Sequence, residues 1–187
     1  MAPRRTTRAP KRAVKRVKYS NETFSNAITI TSPISSGDAL VNNYWIPVIT
    51  PTTIAGMRKA KNFTINISII PNLVANIGAI PVIVAAMLVY VPEGTSPSVP
   101  SFNAVAEPEE YPTDSAPLQA VYKPDQNVIM SKIANITTTG NLTMRNRLAR
   151  NINSGDMVGV VLSVFKNPSG LSQTMSAIVS ANYAVTY

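Results

Sequence analysis

The residues of this chain with the clearest chemical purpose are eight lysines and arginines within its first eighteen residues. No acidic residue lies among them, and their positions are Arg4, Arg5, Arg8, Lys11, Arg12, Lys15, Arg16 and Lys18. Ammonium and guanidinium groups neutralise phosphates and release their counterions, which gives tight, salt-dependent binding without sequence preference. The guanidinium fork also matches phosphate oxygens in a way that lysine does not. We therefore expect residues 1–18, the basic arm, to bind a nucleic-acid backbone.

The remainder of the chain is electrically balanced. Of 187 residues, 17 are Lys or Arg and nine are Asp or Glu, so residues 19–187 hold nine of each and the arm accounts for the net charge of +8. The arm has little apolar surface to bury, and Pro3 and Pro10 oppose a helix, which predicts disorder in isolation. Its Lys-Arg runs are also of the kind that nuclear-import receptors bind. A tail that serves only solubility or only import is the alternative interpretation.

Several classes of chemistry are excluded by composition. The chain has no Cys and no His, so disulfides, thiol nucleophiles, imidazole catalysis and the usual zinc sites are absent. Neither a phosphate-binding loop of the G-x-x-x-x-G-K-[ST] type nor a G-x-S-x-G elbow occurs. The acidic group Glu107–Glu110 has carboxylates that Ca²⁺ prefers, but it lacks EF-hand spacing, and we expect it to be solvated. The sequence thus predicts a protein that is not an enzyme and has no cofactor or metal.

Two further basic groups lie in the balanced region. Arg58, Lys59 and Lys61 enter an apparent strand, where they either contact the same nucleic acid as the arm or form an ordinary solvated edge. Arg145 and Arg147 alternate, which predicts that they share one face of a strand. They could meet phosphate or the acids of a neighbouring subunit, and we favour the subunit contact because residues 19–187 carry equal charges of both signs.

Alternating apolar and polar residues predict an all-β domain. Phe63, Ile65, Ile67 and Ile69 alternate with polar residues in the clearest of these strands. The predicted strands are Thr23–Ser32, Leu40–Thr50, Asn62–Ile70, Ile80–Val91, Asn127–Thr137, Asn141–Ala149, Met157–Lys166 and Thr174–Thr186. Turn residues such as Thr139-Gly140 and Asn153–Asp156 separate several of them. Eight short strands without a helical pattern are typical of a sandwich or barrel.

One strand candidate requires a comparison with a membrane helix. The nearly apolar run Ala79–Val91 has about 13 residues, whereas a spanning helix needs roughly 20. It is also rich in Val and Ile and contains Pro81. We expect a strand that is covered on both faces, and no membrane insertion.

The sequence therefore divides into an arm, residues 1–18, and one domain, residues 19–187. Within the domain, residues 92–124 hold seven of the fifteen prolines and most of the acids. A loop of this length in a compact domain is usually functional or mobile, and its composition predicts a position on the surface.

Four short segments of the sequence resemble a known family. In this order and behind a basic arm, the segments are similar to the capsid proteins of circular Rep-encoding single-stranded DNA viruses, the circovirus-like group. They are Met57–Thr64, Leu88–Thr95, Tyr122–Ser131 and Arg147–Asp156. The resemblance implies a single eight-stranded antiparallel jelly roll of which about sixty copies form a T=1 icosahedral shell. It also implies an arm that binds single-stranded circular DNA, a host nuclear-import receptor as a partner, and location in the virion and, during assembly, in the host nucleus. The arm is shorter and less rich in Arg than in circoviruses proper.

Two other functions fit the same layout of arm and β domain. One is the capsid protein of a small RNA satellite virus. The other is a cellular, non-specific nucleic-acid-binding protein, which would stay small instead of forming particles. In the capsid interpretation, deletion of Met1–Lys18 should leave the fold intact and abolish packaging.

Overall fold

The computed structural model describes residues 18–32, 41–53, 56–72, 81–95, 127–165 and 173–186. These residues form nine strands and, within those ranges, no helix. The strands are β1 (Ser20–Thr31), β2 (Val41–Ile49), β3 (Arg58–Pro71), β4 (Val82–Val91), β5 (Val128–Ile136), β6 (Gly140–Asn146), β7 (Arg150–Ile152), β8 (Met157–Phe165) and β9 (Thr174–Thr186). Each of the eight predicted segments overlaps one of these strands. Residues 1–17 and 96–126, which hold most of the arm and of the predicted loop, lie outside the described residues.

The strands form two antiparallel sheets. Sheet A has the order β1-β9-β3-β6, with the short β7 also paired to β3, and sheet B has the order β2-β8-β4-β5. Along the chain the eight long strands change sheet at every connection except that between β4 and β5, which is the order that two Greek keys produce in a jelly roll. The predicted jelly-roll sandwich is confirmed.

The hydrophobic core lies between the inner faces of the sheets. Phe63, Ile65, Ile67 and Ile69 of β3 are all buried on the inner face of sheet A, as their alternation predicts. Opposite them, sheet B contributes inward residues such as Leu88 to the same cluster. Burial of each such side chain contributes about 1.5–3 kcal/mol, which is why the alternation fixes the face that each strand turns inward.

Strand β4 is buried on both faces, as predicted. Its even-numbered residues join the core, whereas Ile83, Met87 and Val91 belong to apolar clusters on the outer face of sheet B. On that face the Trp45 ring lies against Gly159, where a Cβ would come within 2.5 Å of the ring. No helix in the described ranges is long and apolar enough to cross a bilayer.

The predicted strand Asn141–Ala149 is wrong in its last three residues. Strand β6 ends at Asn146, and the chain re-enters sheet A only at β7, a short strand that the sequence did not predict. The Asn146 side chain causes this break: its Oδ1 accepts a hydrogen bond from the Leu148 N–H at 2.7 Å, and its Nδ2 donates to the Ile129 carbonyl at 2.9 Å. Such a local turn competes with the strand ladder. Arg145 and Arg147 therefore do not share a strand face, because Arg147 lies beyond the end of β6.

A bulge in β3 decides which way its basic residues point. Lys61 pairs with Ala184 and Thr64 with Asn182, so Asn62 and Phe63 together oppose the single residue Tyr183. Asn62 adopts φ of 56°, a left-handed conformation that Asn tolerates better than most residues. The extra residue returns Phe63 to the inner face although Ala60, three positions earlier, also faces inward.

Candidate nucleic-acid interface

The bulge at Asn62 leaves Lys59 and Lys61 on the outer face of sheet A. Their neighbour Ala60 is fully buried in the core, and successive strand residues point to opposite faces. Lys59 is exposed and Lys61 is half-buried. These two residues are therefore accessible to a polyanion that lies along sheet A.

Arg145 lies on the same face. It pairs with Thr64 of β3 and is exposed, while its neighbour Met144 points into the core. From the sequence alone, a subunit contact is favoured for Arg145. The alternation of Arg145 with the apolar residues Leu142 and Met144 is the signal that places its side chain on the outer face. The register with β3, which brings it to the face of Lys61, is not visible in the sequence. We call the face that carries Lys59, Lys61 and Arg145 the cationic face.

No carboxylate of the described residues lies on the cationic face. Glu22 and Tyr183 are register partners on the inward-facing rows of β1 and β9, Glu93 follows β4 in a turn, and Asp156 is buried. Most of the remaining outward residues of sheet A are small and polar: Thr23, Ser25, Thr29, Thr64, Asn66, Ser68, Asn141, Thr143, Ser176, Ser180 and Asn182. Hydroxyl and amide groups of this kind supply most of the neutral side-chain contacts to phosphate and sugar.

The arm leaves the domain beside this face. The Lys61 ammonium lies 3.6 Å from the centre of the Tyr19 ring, directly before β1. Between these residues runs β9, where the small Ala184 pairs with Lys61 on one side and with Asn21 on the other. A cation over the face of a tyrosine ring is attracted by the ring quadrupole. The contact joins the last residues before β1 to the cationic face.

Arg58 points away from Lys59 and Lys61. Its Cα pairs with that of the buried Ile152, and its Nη2 donates to the Thr50 carbonyl at 3.2 Å. Its Nε is buried and has no hydrogen-bond partner within the described ranges. The structure therefore brings Lys61 against Tyr19, which follows Lys18, and places Lys59 on the same face, but it directs Arg58 elsewhere. Arg4, Arg5, Arg8, Lys11, Arg12, Lys15 and Arg16 lie outside the described residues, and phosphate binding by them stays a prediction.

A second polar cluster, absent from the sequence analysis, joins two turns at one end of sheet B. The buried Asp156 accepts hydrogen bonds from the Tyr90 hydroxyl at 2.6 Å, the Asn153 N–H at 2.7 Å and the Glu93 N–H at 3.0 Å. Burial alone would raise the pKa of Asp156, but these donors outweigh it and lower the pKa below its usual value. The hydrogen bond to Asp156, with burial and the carboxylate charge, raises the pKa of Tyr90 to about 12. The cluster holds the turn at Glu93 against the turn at Asn153 and is not part of the cationic face.

Metal ligands do not cluster in the part of the chain that the structure describes. No group of three or more acidic, His or Cys side chains there could hold an ion. The acidic group Glu107–Glu110 lies outside these residues.

Comparison with known proteins gives only structural similarities. No protein-family model matches the chain, and neither does any curated protein. Among solved structures, the BFDV capsid protein crystallised as a 60-mer is similar at a TM-score of 0.44 and 6% identity, over 91% of this chain and 94% of that one. Empty particles of cowpea mosaic virus give 0.35 and 12%, over 91% and 89% of the two chains. The empty head of turnip yellow mosaic virus gives 0.33 and 15%, over 96% and 90%. The jelly-roll assignment rests on the strand order given above.

Proposed function

We propose that the protein is a viral capsid protein that self-assembles into a closed shell and packages a single-stranded genome. The observation that carries this proposal is the contact between Lys61 and Tyr19. It joins the residue that follows the basic arm to a face of sheet A that presents Lys59, Lys61 and Arg145 and, among the described residues, no carboxylate. One polyanion can therefore contact both the arm and the face.

The arm and the cationic face have different roles in this proposal. The eighteen residues of the arm would reach roughly 60 Å if fully extended, so we expect them to capture phosphates over a wide volume. The cationic face lies on paired strands of sheet A beside Tyr19, where the arm joins the domain, so a nucleic-acid strand held by the arm reaches the face at a high effective concentration. Neither has the exposed aromatic rings that base stacking needs, since Tyr19 is half-buried against Lys61. Binding should therefore be independent of base sequence.

The finer assignment comes from the sequence resemblance to circovirus-like capsid proteins. It comprises a T=1 shell of about sixty copies, a circular DNA genome, entry into the host nucleus through an import receptor, and final location in the virion. In such a shell the arms would supply about 480 positive charges and the cationic faces about 180 more, if each contact releases about one counterion. The face thus adds more than a third to the neutralising charge of short arms.

The role of the cationic face in this proposal is tested by the salt dependence of binding to single-stranded DNA. The full-length variant Lys59→Ala/Lys61→Ala/Arg145→Ala should lower the slope of log K against log salt by about 2, because each phosphate contact on single strands contributes roughly 0.7. The control Arg147→Ala/Arg150→Ala removes two charges from exposed positions, one beyond the end of β6 and one in β7 opposite the inward-facing Ala60. It should change the slope much less. Equal changes in the two variants would contradict a role for the face.

A further inference from the structure

Strand β1 forms one edge of sheet A, and most of its outward backbone groups have no partner among the described residues. The Ser32 N–H donates to the Gln173 carbonyl, so the even-numbered residues here bond to β9. Thr31 instead directs its N–H to the Tyr44 hydroxyl and its carbonyl to the Asn42 amide, away from β9. Because hydrogen-bonding direction alternates along an antiparallel strand, five further residues also direct both groups outward. They are Asn21, Thr23, Ser25, Ala27 and Thr29, all of them exposed and without a backbone partner on that side in the described ranges.

The other three edges carry features that prevent strand addition. Strand β2 contains Pro47 and a register shift beside it. Strand β5 contains Lys132, and its pairing with β4 has a bulge. The β6–β7 edge is interrupted after Asn146 and carries arginines. Such features block pairing because they remove donors, add charge or twist the edge away.

Strand β1 has none of these features. It keeps a continuous register with β9 over all twelve of its residues, contains no Pro, Lys or Arg, and has Glu22 as its single charge. Its outward residues are small and uncharged. An edge of this length without a bulge is a template for another strand.

We propose that β1 pairs antiparallel with β1 of a second copy across a two-fold axis. Antiparallel pairing of identical strands is isologous, which is what a two-fold contact between identical subunits requires. This inference rests on the proposed self-assembly and names one of its contacts.

The register of this contact follows from the outward residues. Only one register uses all five: Asn21 opposite Thr29, Thr23 opposite Ala27, and Ser25 opposite Ser25 of the second copy. Residues directly opposite each other in a sheet point to the same face. The two A sheets would thus become one continuous sheet whose cationic faces and arm exits lie on the same side.

Cross-linking through a single introduced cysteine tests this register. The chain has no cysteine, so Ser25→Cys in the full-length protein provides the only thiol. Directly opposed, hydrogen-bonded residues have Cα atoms about 5.5 Å apart, within the range that a disulfide spans. On mild oxidation we expect a covalent dimer in about ten-fold higher yield than from the control Thr143→Cys. Thr143 is a matched control because it is exposed and lies at the opposite edge of sheet A, on the same face as Ser25. The two residues are joined across the sheet by the paired residues Ser180 and Asn66.

A second pair of variants tests the edge without a disulfide. In the proposed register, Thr23→Lys/Ala27→Lys sets like charges directly opposite each other, which opposes pairing. The protein concentration needed for association should rise by about ten-fold or more, since each 1.4 kcal/mol is a factor of ten. The control Asn141→Lys/Thr143→Lys adds the same charge at the other edge and should not have this effect.

The outcomes separate this inference from the proposed function. If particles form normally while Ser25→Cys cross-links no better than the Thr143→Cys control, β1 pairing is overturned and the capsid proposal stays intact. A covalent dimer of the Ser25→Cys variant without particles would support the pairing and contradict shell assembly. Unimpaired association of Thr23→Lys/Ala27→Lys would also overturn the pairing.

Discussion

At the scale of single residues, Asp156 shows how a buried charge is held in this fold. Its carboxylate receives one hydroxyl and two backbone donors from turns that the chain sequence separates by about sixty residues. A buried carboxylate without such donors would cost several kcal/mol, so the cluster and the two turns depend on each other. The same donors set the direction of both pKa shifts.

The Asp156–Tyr90 pair predicts two pH windows of instability. The pKa of Asp156 is lowered on folding, so its contribution is complete above about pH 4, the unfolded value, and is lost as pH falls further. The pKa of Tyr90 is raised to about 12, so its contribution is complete below about pH 10 and is lost between about pH 10 and 12. Tyr90→Phe should cost about 1–3 kcal/mol at pH 7 and remove the Tyr90 part of the alkaline loss.

Urea unfolding followed by the fluorescence of Trp45, the single tryptophan, measures these effects. Asp156→Asn provides the comparison: it should be destabilised by about 2–3 kcal/mol at pH 7 and should lose less stability in acid than the parent protein. An alkaline profile of Tyr90→Phe identical to that of the parent would contradict the account.

At the scale of elements, the bulge in β3 links the core to the cationic face. Ala60 and Phe63 are three positions apart, so in a regular strand they would point to opposite faces. The extra residue of the bulge turns both of them inward and leaves Lys59 and Lys61 outward. Without it, either the basic residues or the apolar residues of β3 would face the wrong side of the sheet, because a shift of one residue reverses every side chain.

The conformation of Asn62 therefore predicts a selective tolerance to substitution. Asn62→Val should lower the free energy of unfolding by about 1–2 kcal/mol, since a β-branched residue resists positive φ. Asn62→Gly should be close to neutral, because Gly adopts this conformation freely. Equal stabilities of the two variants in urea unfolding would show that the bulge does not require the left-handed conformation.

The same elements show how far the sequence predicts the structure. Period-two alternation, together with the continuous apolar run of β4, locates the eight long strands, and alternation assigns residues such as Ile65 and Ile67 to the core, because burial is repeated along each strand. Alternation cannot identify the positive φ of Asn62, which is a backbone conformation of that one residue. It also cannot identify the turn at Asn146, which depends on the hydrogen bonds of that one side chain. It also cannot bring Lys61 to Tyr19, since that contact depends on β1 and β3 both pairing with β9 from the far end of the chain.

At the scale of the whole molecule, charge and fold are divided between two parts of the chain. The arm holds the net charge, and the outer face of sheet A presents Lys59, Lys61 and Arg145 without a carboxylate among the described residues. In a shell built through β1 edges, these faces would point to one side, together with the arms. In that arrangement the neutral domain, the cationic face and the arm would together enclose a polyanion.

Imaging of the purified full-length protein, combined with nuclease treatment, tests this claim most directly. We expect closed particles of one small size that protect nucleic acid, and extracted nucleic acid that is digested by DNase but not by RNase. Deletion of Met1–Lys18 should leave the circular dichroism of the domain unchanged and remove the protected nucleic acid. RNase-sensitive contents would instead indicate an RNA virus capsid. A protein that remains a 20.1 kDa monomer with bound nucleic acid that nuclease digests freely would contradict the account.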